Sequence, residues 1–214
     1  MSNCCGHIND GGRFFSRFAR LSCCCYNLKG LSKSQQMIAN TLIKTGVEGK
    51  TILDIGCGVG YLHQSLLQAG AASATGVDLA SKMIEQAQAL SKKNAYSAVT
   101  TYIQGDFVQQ ATTIEPADIL LLDKVVCCYP DIQSLMEAAL AKTGQYMALT
   151  YPRDRTLVRL FVWLEAFLLK LTGSAFRSYV HSPDAIELMI TQAGFNKRME
   201  QIDSGWITQL WERG

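Results

Sequence analysis

The sequence has no hydrophobic run long enough to cross a bilayer. Its most apolar window, Leu157 to Leu171, is too short and carries Arg159, Glu165 and Lys170. We interpret this window as an amphipathic helix that packs on the domain or covers a pocket, with peripheral contact at a membrane surface as the alternative. The amino terminus lacks the features of a secretory signal, so we expect a cytoplasmic protein without stable membrane insertion.

Cysteines at metal-binding spacing are also missing. The eight cysteines are adjacent or isolated rather than spaced as Cys-x-x-Cys, and no pair of histidines accompanies them, which argues against a structural zinc site. In a reducing cytoplasm they should be thiols, and most of them should be small buried residues. We therefore expect no bound metal.

Dense clusters of lysine and arginine are absent as well. The net charge of the 214 residues is +2, which argues against a protein that binds a nucleic-acid backbone. Because 48% of the residues are hydrophobic and 18% are charged, the chain can bury one sizeable core and should not be disordered. The composition does not indicate an oligomeric state.

Two regions are expected from the pattern along the chain. Residues 1–45 form a helical leader that packs over a binding site, and residues 46–214 form a domain of alternating strands and helices. This alternation predicts an α/β fold with a doubly wound, mostly parallel, seven-stranded sheet. Two last strands, near 195–202 and 205–211, are expected to close the sheet as an antiparallel hairpin.

Glycine and proline predict where two helices begin and end. The helix after the fourth strand is expected to stop at Gly144. The last helix is expected to begin with Ser182 as its cap and Pro183 at its first position, and to end before Gly194.

The stretch TILDIGCGVGYL carries the strongest functional signal. Glycines at positions 56, 58 and 60 let the backbone approach a ligand, and Asp78 ends the next strand, where it can accept hydrogen bonds from a ribose diol. A dinucleotide fingerprint would need glycine where Tyr61 stands, and no Lys-Ser/Thr pair follows to hold a triphosphate. In such a sheet the ligand lies at the carboxyl ends of the strands.

This Gly-x-Gly-x-Gly loop, preceded by Asp54, resembles the first motif of class I S-adenosylmethionine-dependent methyltransferases. The stretches GVDLASKM, GDF and LLLDKVV resemble later motifs of that family, in the same order. The resemblance implies the Rossmann-like methyltransferase fold and S-adenosylmethionine as the cofactor. The cofactor-binding residues that it implies are Asp54, Gly56, Cys57, Gly58, Gly60, Asp78, Leu79, Asp106, Phe107 and Asp123.

The carboxyl half is similar to a narrower group. The blocks LDKVVCCYPD, TYPRDRTLVRL and FRSYVH resemble those of magnesium-protoporphyrin O-methyltransferases and their small bacterial relatives. In the pigment enzymes a histidine directly precedes the Tyr-Pro pair, whereas Cys128 holds that position here. We therefore expect a small-molecule acceptor, favour O-methylation, and leave the acceptor itself open.

Methyl transfer needs an acceptor atom aligned in a pocket that excludes water, and a hydroxyl acceptor also benefits from a base. The catalytic candidates are His181, Tyr129 and Cys128, with Tyr179 as a further possible base. Cys128 is expected to shape the acceptor pocket. An alternative is that Cys127 and Cys128 meet a thiol, selenol or arsenic acceptor at the mouth of the site.

Acceptor binding is expected between the fifth strand and the last helix, where residues 153–182 form a lid. Three arginines there could hold a carboxylate or phosphate, or they could pair with Asp154 and its neighbours at the surface. The acceptor-side candidates are Cys127, Tyr151, Arg153, Arg155, Arg177 and Tyr179. A nicotinamide oxidoreductase, a non-catalytic S-adenosylmethionine-binding protein and a membrane-surface protein remain as other classes.

Overall fold

The computed structural model describes residues 11–16, 29–171 and 176–214. Cys4, Cys5, Cys23, Cys24 and Cys25 lie outside these residues, as do residues 1–10 and 17–28 of the predicted leader. Within them, the chain forms the strands β1 Thr51–Ile55, β2 Ser73–Asp78, β3 Thr100–Gln104, β4 Ala117–Asp123, β5 Thr143–Pro152, β6 Phe195–Ile202 and β7 Trp206–Arg213. The helices are α1 Lys33–Thr45, α2 Tyr61–Gln68, α3 Ser81–Lys93, α4 Phe107–Gln110, α5 Ile132–Lys142, α6 Thr156–Leu171 and α7 Pro183–Gln192, and residues 11–16 are helical as well.

The seven strands form one sheet in the order β3-β2-β1-β4-β5-β7-β6. The first five strands run parallel, and β7 lies antiparallel between β5 and β6. The predicted doubly wound sheet and its carboxyl-terminal hairpin are therefore confirmed. Because β1 lies between β2 and β4, the strand order reverses beside β1, and the carboxyl end of β1 is where this topology forms a ligand cleft.

Both faces of the central strands are buried, which explains the continuous apolar run from Ile119 to Leu122 in β4. In β4, Leu120 and Leu122 belong to the core on one face, while Ile119 and Leu121 belong to the core on the other face. Helix α1 covers the second face through buried residues that include Leu42. This packing fixes the sheet edge from which the loops of the site project.

The observed boundaries of α5 and α7 test the helix ends that were predicted from glycine and proline. Helix α7 begins as expected, since Ser182 accepts a hydrogen bond from the amide of Ala185 and Pro183 is the first helical residue. Gly194 follows the helix with φ of +85°. The prediction that Gly144 stops the preceding helix is wrong, because α5 ends at Lys142 and Gly144 lies inside β5.

The close approach of β4 and β5 explains why residue 144 is a glycine. A Cβ atom at Gly144 would lie 3.0 Å from the carbonyl oxygen of Ala117 at the start of β4. Glycine therefore allows close strand packing at this position and does not end the helix.

Helix α6 differs from the other helices in its exposure. Six of its large apolar side chains are exposed, and they are Leu157, Leu160, Trp163, Leu164, Phe167 and Leu168. Among the described residues, no helix has both the length and the apolar character that crossing a membrane requires.

Candidate active site

The glycine loop leaves β1 with three residues in the left-handed region. Gly56, Gly58 and Gly60 have φ of +65°, +55° and +84°. The amides of Gly56 and Cys57 donate to the carbonyl oxygen of Val77 at 2.7 and 3.0 Å, which holds the loop against β2. A Cβ atom at Gly58 would meet nothing within 4 Å, so this part of the backbone borders open space. The loop can therefore lie directly against a ligand.

Asp78 ends β2 beside this loop. Its two carboxylate oxygens accept backbone hydrogen bonds from the amides of Gly58 and Ala80, each at 2.8 Å. Burial raises the pKa of Asp78 to about 6, against the lowering effect of these two hydrogen bonds. Each oxygen keeps a further lone pair, so the carboxylate can accept two hydroxyl groups from a ligand.

Three hydrogen-bonded side chains, Asp54, His63 and Tyr102, support the glycine loop. His63 Nδ1 lies 2.8 Å from Asp54 Oδ2, and His63 Nε2 lies 3.0 Å from the hydroxyl of Tyr102. Burial raises the pKa of Asp54, and the contact with His63 opposes that rise. A Cβ atom at Gly60 would lie 2.6 Å from the His63 ring, so a side chain at position 60 would collide with this histidine.

A cavity of about 230 Å³ opens at this edge of the sheet. Its wall combines the glycine loop, the ends of β2 and β4, and Phe15 from the amino-terminal segment. Seven of the ten predicted cofactor residues line it, namely Gly56, Gly58, Asp78, Leu79, Asp106, Phe107 and Asp123. The other lining residues are Phe15, Ile55, Val77, Met83, Gly105, Lys124, Val125, Cys128, Tyr129 and Leu135.

The remaining three predicted cofactor residues lie beneath the loop or within it. Asp54 is buried with His63, and Gly60 lies above that histidine ring. Cys57 turns toward β2, since a Cβ atom at Gly76 would lie 2.9 Å from its sulfur. Burial raises the pKa of the Cys57 thiol well above its usual value, so it is neutral and unreactive.

The amino-terminal segment closes one side of the cavity. Phe15 lines it, and the ring of Phe14 stacks on Phe176 with centroids 4.9 Å apart. A Cβ atom at Gly12 would lie 2.8 Å from the carbonyl oxygen of Leu79. The segment therefore lies directly against the loop that follows β2.

Tyr129 links the two sides of the cavity. Its hydroxyl donates toward Asp106, 3.2 Å from each carboxylate oxygen, and Asp106 also accepts from the amide of Val108. The carbonyl oxygen of Tyr129 accepts a hydrogen bond from His181 Nε2 at 2.9 Å. Tyr129 therefore lies in the cavity, while His181 holds the backbone of Tyr129 from behind.

The end of β4 brings two further polar residues to the site. Asp123 Oδ1 accepts from the hydroxyl of Ser34 in α1, at 3.1 Å. Lys124 adopts φ of +62°, donates its amide to Thr150 at 3.0 Å, and places its ammonium group 5.5 Å from the centre of the Trp206 ring. A lysine in the left-handed region is strained, and such strain is common beside functional sites.

The two neighbouring cysteines have different surroundings. Cys128 lines the cavity, whereas Cys127 is buried and does not line it, so a role for Cys127 at the mouth of the site stays a prediction. The Cys127 thiol donates to the carbonyl oxygen of Lys124 at 3.4 Å, and the two sulfurs are 3.6 Å apart. The hydrogen bond with Cys127 is the larger cause, and burial the second, of a Cys128 pKa that lies well above its usual value, so Cys128 is a neutral thiol.

None of the six predicted acceptor-side residues lines this cavity. Tyr151 is fully buried in the core, where burial raises its pKa, and its assignment to the acceptor pocket stays a prediction. Arg153 donates to the carbonyl oxygen of Asp203 at 2.8 Å, and Arg155 and Arg177 are exposed.

A backbone hydrogen bond and an ion pair connect other residues of this region within the chain. The amide of Tyr179 donates to the carbonyl oxygen of Cys127 at 2.7 Å, which fixes the segment before α7. The expected surface ion pair with Asp154 forms, but its partner is Arg159. Acceptor binding by the three predicted arginines stays a prediction, as does the lid, because none of the cavity-lining residues comes from α6.

Comparison with known proteins identifies the family of the chain and supports its fold. Residues 47–201 match the model of a family described as a methyltransferase domain, which covers more than half of the chain. The chain belongs to this methyltransferase family. The S-adenosylmethionine-dependent methyltransferase predicted from the glycine loop and Asp78 is thereby confirmed, and the nicotinamide oxidoreductase is set aside.

Three relatives illustrate the range of the methyltransferase family. A ubiquinone biosynthesis O-methyltransferase from Bordetella avium (strain 197N) is 28% identical over 173 residues, which are 77% of this chain and 70% of the relative. Protein arginine N-methyltransferase 1 from Dictyostelium discoideum is 32% identical over 111 residues, 52% of this chain but only 29% of that protein. The crystal structure of magnesium protoporphyrin IX methyltransferase from Synechocystis PCC 6803 with bound SAH aligns with a TM-score of 0.68 and 22% identity, covering 85% of this chain and 83% of that one.

Sequence reasoning missed several residues of the methyltransferase site. Lys124 has no local sequence signal for its strained backbone. His63 is the third residue of α2, so its contact with Asp54 depends on the loop between them. Phe15 reaches the cavity from a distant part of the chain, and only the general expectation of a covering leader pointed to it.

Proposed function

We propose that this methyltransferase transfers a methyl group from S-adenosylmethionine to an oxygen atom of a small-molecule acceptor. The observation that carries the proposal is Tyr129, which lines the cavity and whose hydroxyl is bonded to the carboxylate of Asp106. The relatives named as O-methyltransferases support the same chemistry. A cavity of about 230 Å³ favours a small molecule over a nucleic acid.

The residues present fit the cofactor. The Gly58 backbone borders open space, which a side chain would fill, and Asp78 has acceptor positions left for the two ribose hydroxyls. Leu79 and Phe107 supply apolar surface for the adenine ring. When bound, S-adenosylmethionine supplies a methyl carbon that its sulfonium already activates.

The chain therefore has to position the acceptor and exclude water. Phe15, Met83 and Leu135 supply apolar wall on several sides of the cavity. The hydroxyl of Tyr129 donates toward Asp106, and its oxygen is the atom to which the acceptor's hydroxyl hydrogen is directed. His181 acts as a positioning residue by holding the Tyr129 carbonyl.

The cysteine-based alternative is less well supported. Cys128 is a neutral thiol whose hydrogen atom is engaged by nearby acceptors, so it is a poor ligand for arsenic or another soft acceptor. Among the described residues, no cluster of side chains could hold a metal ion. We assign Cys128 the role of shaping the acceptor pocket, in a cytoplasmic enzyme whose described cysteines are free thiols.

The test compares small molecules from cells expressing the protein with those from cells expressing its Asp78→Ala variant, using methionine labelled with ¹³C in its methyl group. We expect a species heavier by one labelled methyl group in the first sample alone, with a ¹³C chemical shift typical of a methyl ether or ester. A label on sulfur or nitrogen would overturn the oxygen assignment. The absence of any labelled product would favour a non-catalytic binding protein.

The Tyr129→Phe variant tests the role of the hydroxyl. With the acceptor identified, this variant should lower kcat by at least tenfold and keep the affinity for S-adenosylmethionine, because Asp106 retains its bond from Val108. An unchanged kcat would remove Tyr129 from the mechanism. The His181→Ala variant should raise KM more than it lowers kcat, since its effect passes through the position of Tyr129.

A further inference from the structure

Helix α6 presents a continuous apolar surface to the outside of the molecule. Between 46% and 78% of each of six large side chains is exposed, and these are Leu157, Leu160, Trp163, Leu164, Phe167 and Leu168. The rings of Trp163 and Phe167 stack with centroids 6.0 Å apart. Exposed apolar side chains are normal when they are scattered, but six on one helix mark an interaction surface.

Helical geometry places these six residues on one side. At about 100° per residue they fall within an arc of about 140°, and the half-buried residues Val158, Val162, Glu165 and Leu169 fall on the opposite side. The side that faces the domain is therefore a different one from the exposed apolar side. Glu165 belongs to the domain-facing side, so no acidic residue interrupts the exposed one.

Positive charge lies at the amino-terminal end of this apolar surface, and a further arginine follows the helix in sequence. Arg155 directly precedes the helix and is exposed, and it borders the same shallow depression as Leu157 and Arg159. Arg159 is paired with Asp154, so Arg155 carries the uncompensated charge at this end. Arg177, which is also exposed, follows the helix. Arginine beside exposed leucine and tryptophan complements the anionic headgroups and outer acyl region of a bilayer.

The length of α6 decides how such a helix would sit. Its 16 residues extend for about 24 Å, which is less than the hydrocarbon core of a bilayer. The exposed side is a convex helix surface rather than a groove, so it does not offer a pocket for a peptide. Tryptophan favours the boundary between headgroups and acyl chains. These features suit a helix that lies flat in that boundary.

We infer that α6 docks the protein on the surface of a membrane that contains anionic phospholipids. The six exposed side chains enter the boundary region, and Arg155 and Arg177 contact lipid phosphates. The binding is peripheral and reversible. The inference goes beyond the methyl-transfer proposal and does not depend on it, because it concerns a surface outside the cavity.

The experiment measures co-sedimentation of the full chain with vesicles of phosphatidylcholine alone and with vesicles that also contain phosphatidylglycerol. We expect binding to the anionic vesicles that weakens as salt is added. The Trp163→Ser and Phe167→Ser double variant should reduce this binding at least tenfold. The matched control is the Leu188→Ser and Ile202→Ser double variant, which removes two exposed apolar side chains elsewhere and should bind like the parent.

Calorimetric affinity for S-adenosylmethionine checks that each variant is folded, since none of these four positions lines the cavity. No sedimentation of the parent with anionic vesicles would overturn the inference. Equal loss in the control variant would also overturn it, because general surface hydrophobicity would then be the cause. Lipid-free self-association that only the α6 variant abolishes would instead assign this surface to a second copy of the chain.

Charge is tested separately. The Arg155→Gln and Arg177→Gln double variant should lose the preference for anionic vesicles and keep its weaker binding to neutral ones. An undiminished preference would contradict the proposed phosphate contacts.

Discussion

Acidification is expected to weaken S-adenosylmethionine binding through Asp78. The carboxylate already accepts backbone hydrogen bonds from Gly58 and Ala80, and its pKa is raised to about 6 by burial. A protonated carboxyl loses acceptor capacity, so only the ionised form can also accept both ribose hydroxyls. With this pKa, about one tenth of the protein is ionised at Asp78 at pH 5, and we expect the affinity to fall about tenfold from pH 7.5 to pH 5.

Acid unfolding driven by Asp78 does not account for this loss of cofactor affinity. The pKa of about 6 in the folded chain lies above the ordinary value of 3.8, so the folded chain binds this proton more tightly than the unfolded chain does. The resulting contribution to stability is fully present below pH 3.8 and is lost as the pH rises through about 6. Lowering the pH to 5 therefore adds stability at this residue while it removes cofactor affinity.

The assay is titration calorimetry with S-adenosylmethionine at pH 5, 6 and 7.5. At pH 7.5 the Asp78→Asn variant should bind about ten to a hundred times more weakly, because charge-assisted hydrogen bonds worth roughly 1.5 to 3 kcal/mol are lost. Its affinity should also no longer depend on pH in this range. A parent protein whose affinity is constant across these pH values, or a variant that keeps the parent's slope, would refute the assignment of Asp78 to the ribose.

Three other variants test separate parts of the site. Gly58→Ala should reduce the calorimetric affinity for the cofactor at least tenfold. The control Gly194→Ala, which shares a positive φ and open surroundings, should lose only about 1 kcal/mol of stability and keep its affinity. Equal affinities of the two variants would contradict a close approach of the Gly58 backbone to the cofactor. His63→Ala should lower the free energy of unfolding in urea by about 3 kcal/mol, because Asp54 loses its buried partner; a loss below about 1 kcal/mol would show that the contact is unimportant. Cys128→Ser should keep cofactor affinity within about threefold and change acceptor turnover by more, and unchanged turnover would make Cys128 a packing residue.

The sheet and the glycine loop could be predicted because their signals are local. Apolar strands that end in glycine or aspartate determine both the strand and the turn that follows, and Gly56, Gly58 and Asp78 lie where that reasoning puts them. Helix α7 was predictable for the same reason, since Ser182 and Pro183 act on their immediate neighbours.

Residues whose roles depend on distant parts of the chain were harder to predict. Tyr151 lies in a strand that is buried on both faces, so no alternation shows which face its side chain takes. Cys127 and Cys128 fall in one short 3-10 turn, where adjacent side chains diverge by about a third of a turn, and only one reaches the cavity. His63 and Phe15 depend on tertiary packing that no local pattern encodes.

Parts of the chain that lie outside the family match also contribute to the site and to the sheet. The family match spans residues 47–201, yet Phe15, Ser34 and strand β7 all lie outside it. A fragment cut at those limits would lose one wall of the cavity and the hydroxyl that bonds to Asp123. It would also expose the edge of β5, whose backbone pairs with β7 from Tyr146 to Pro152. The segment that matches the family is therefore shorter than the part of the chain that forms the cavity, and we expect a protein cut to that segment to aggregate through the unpaired edge of β5.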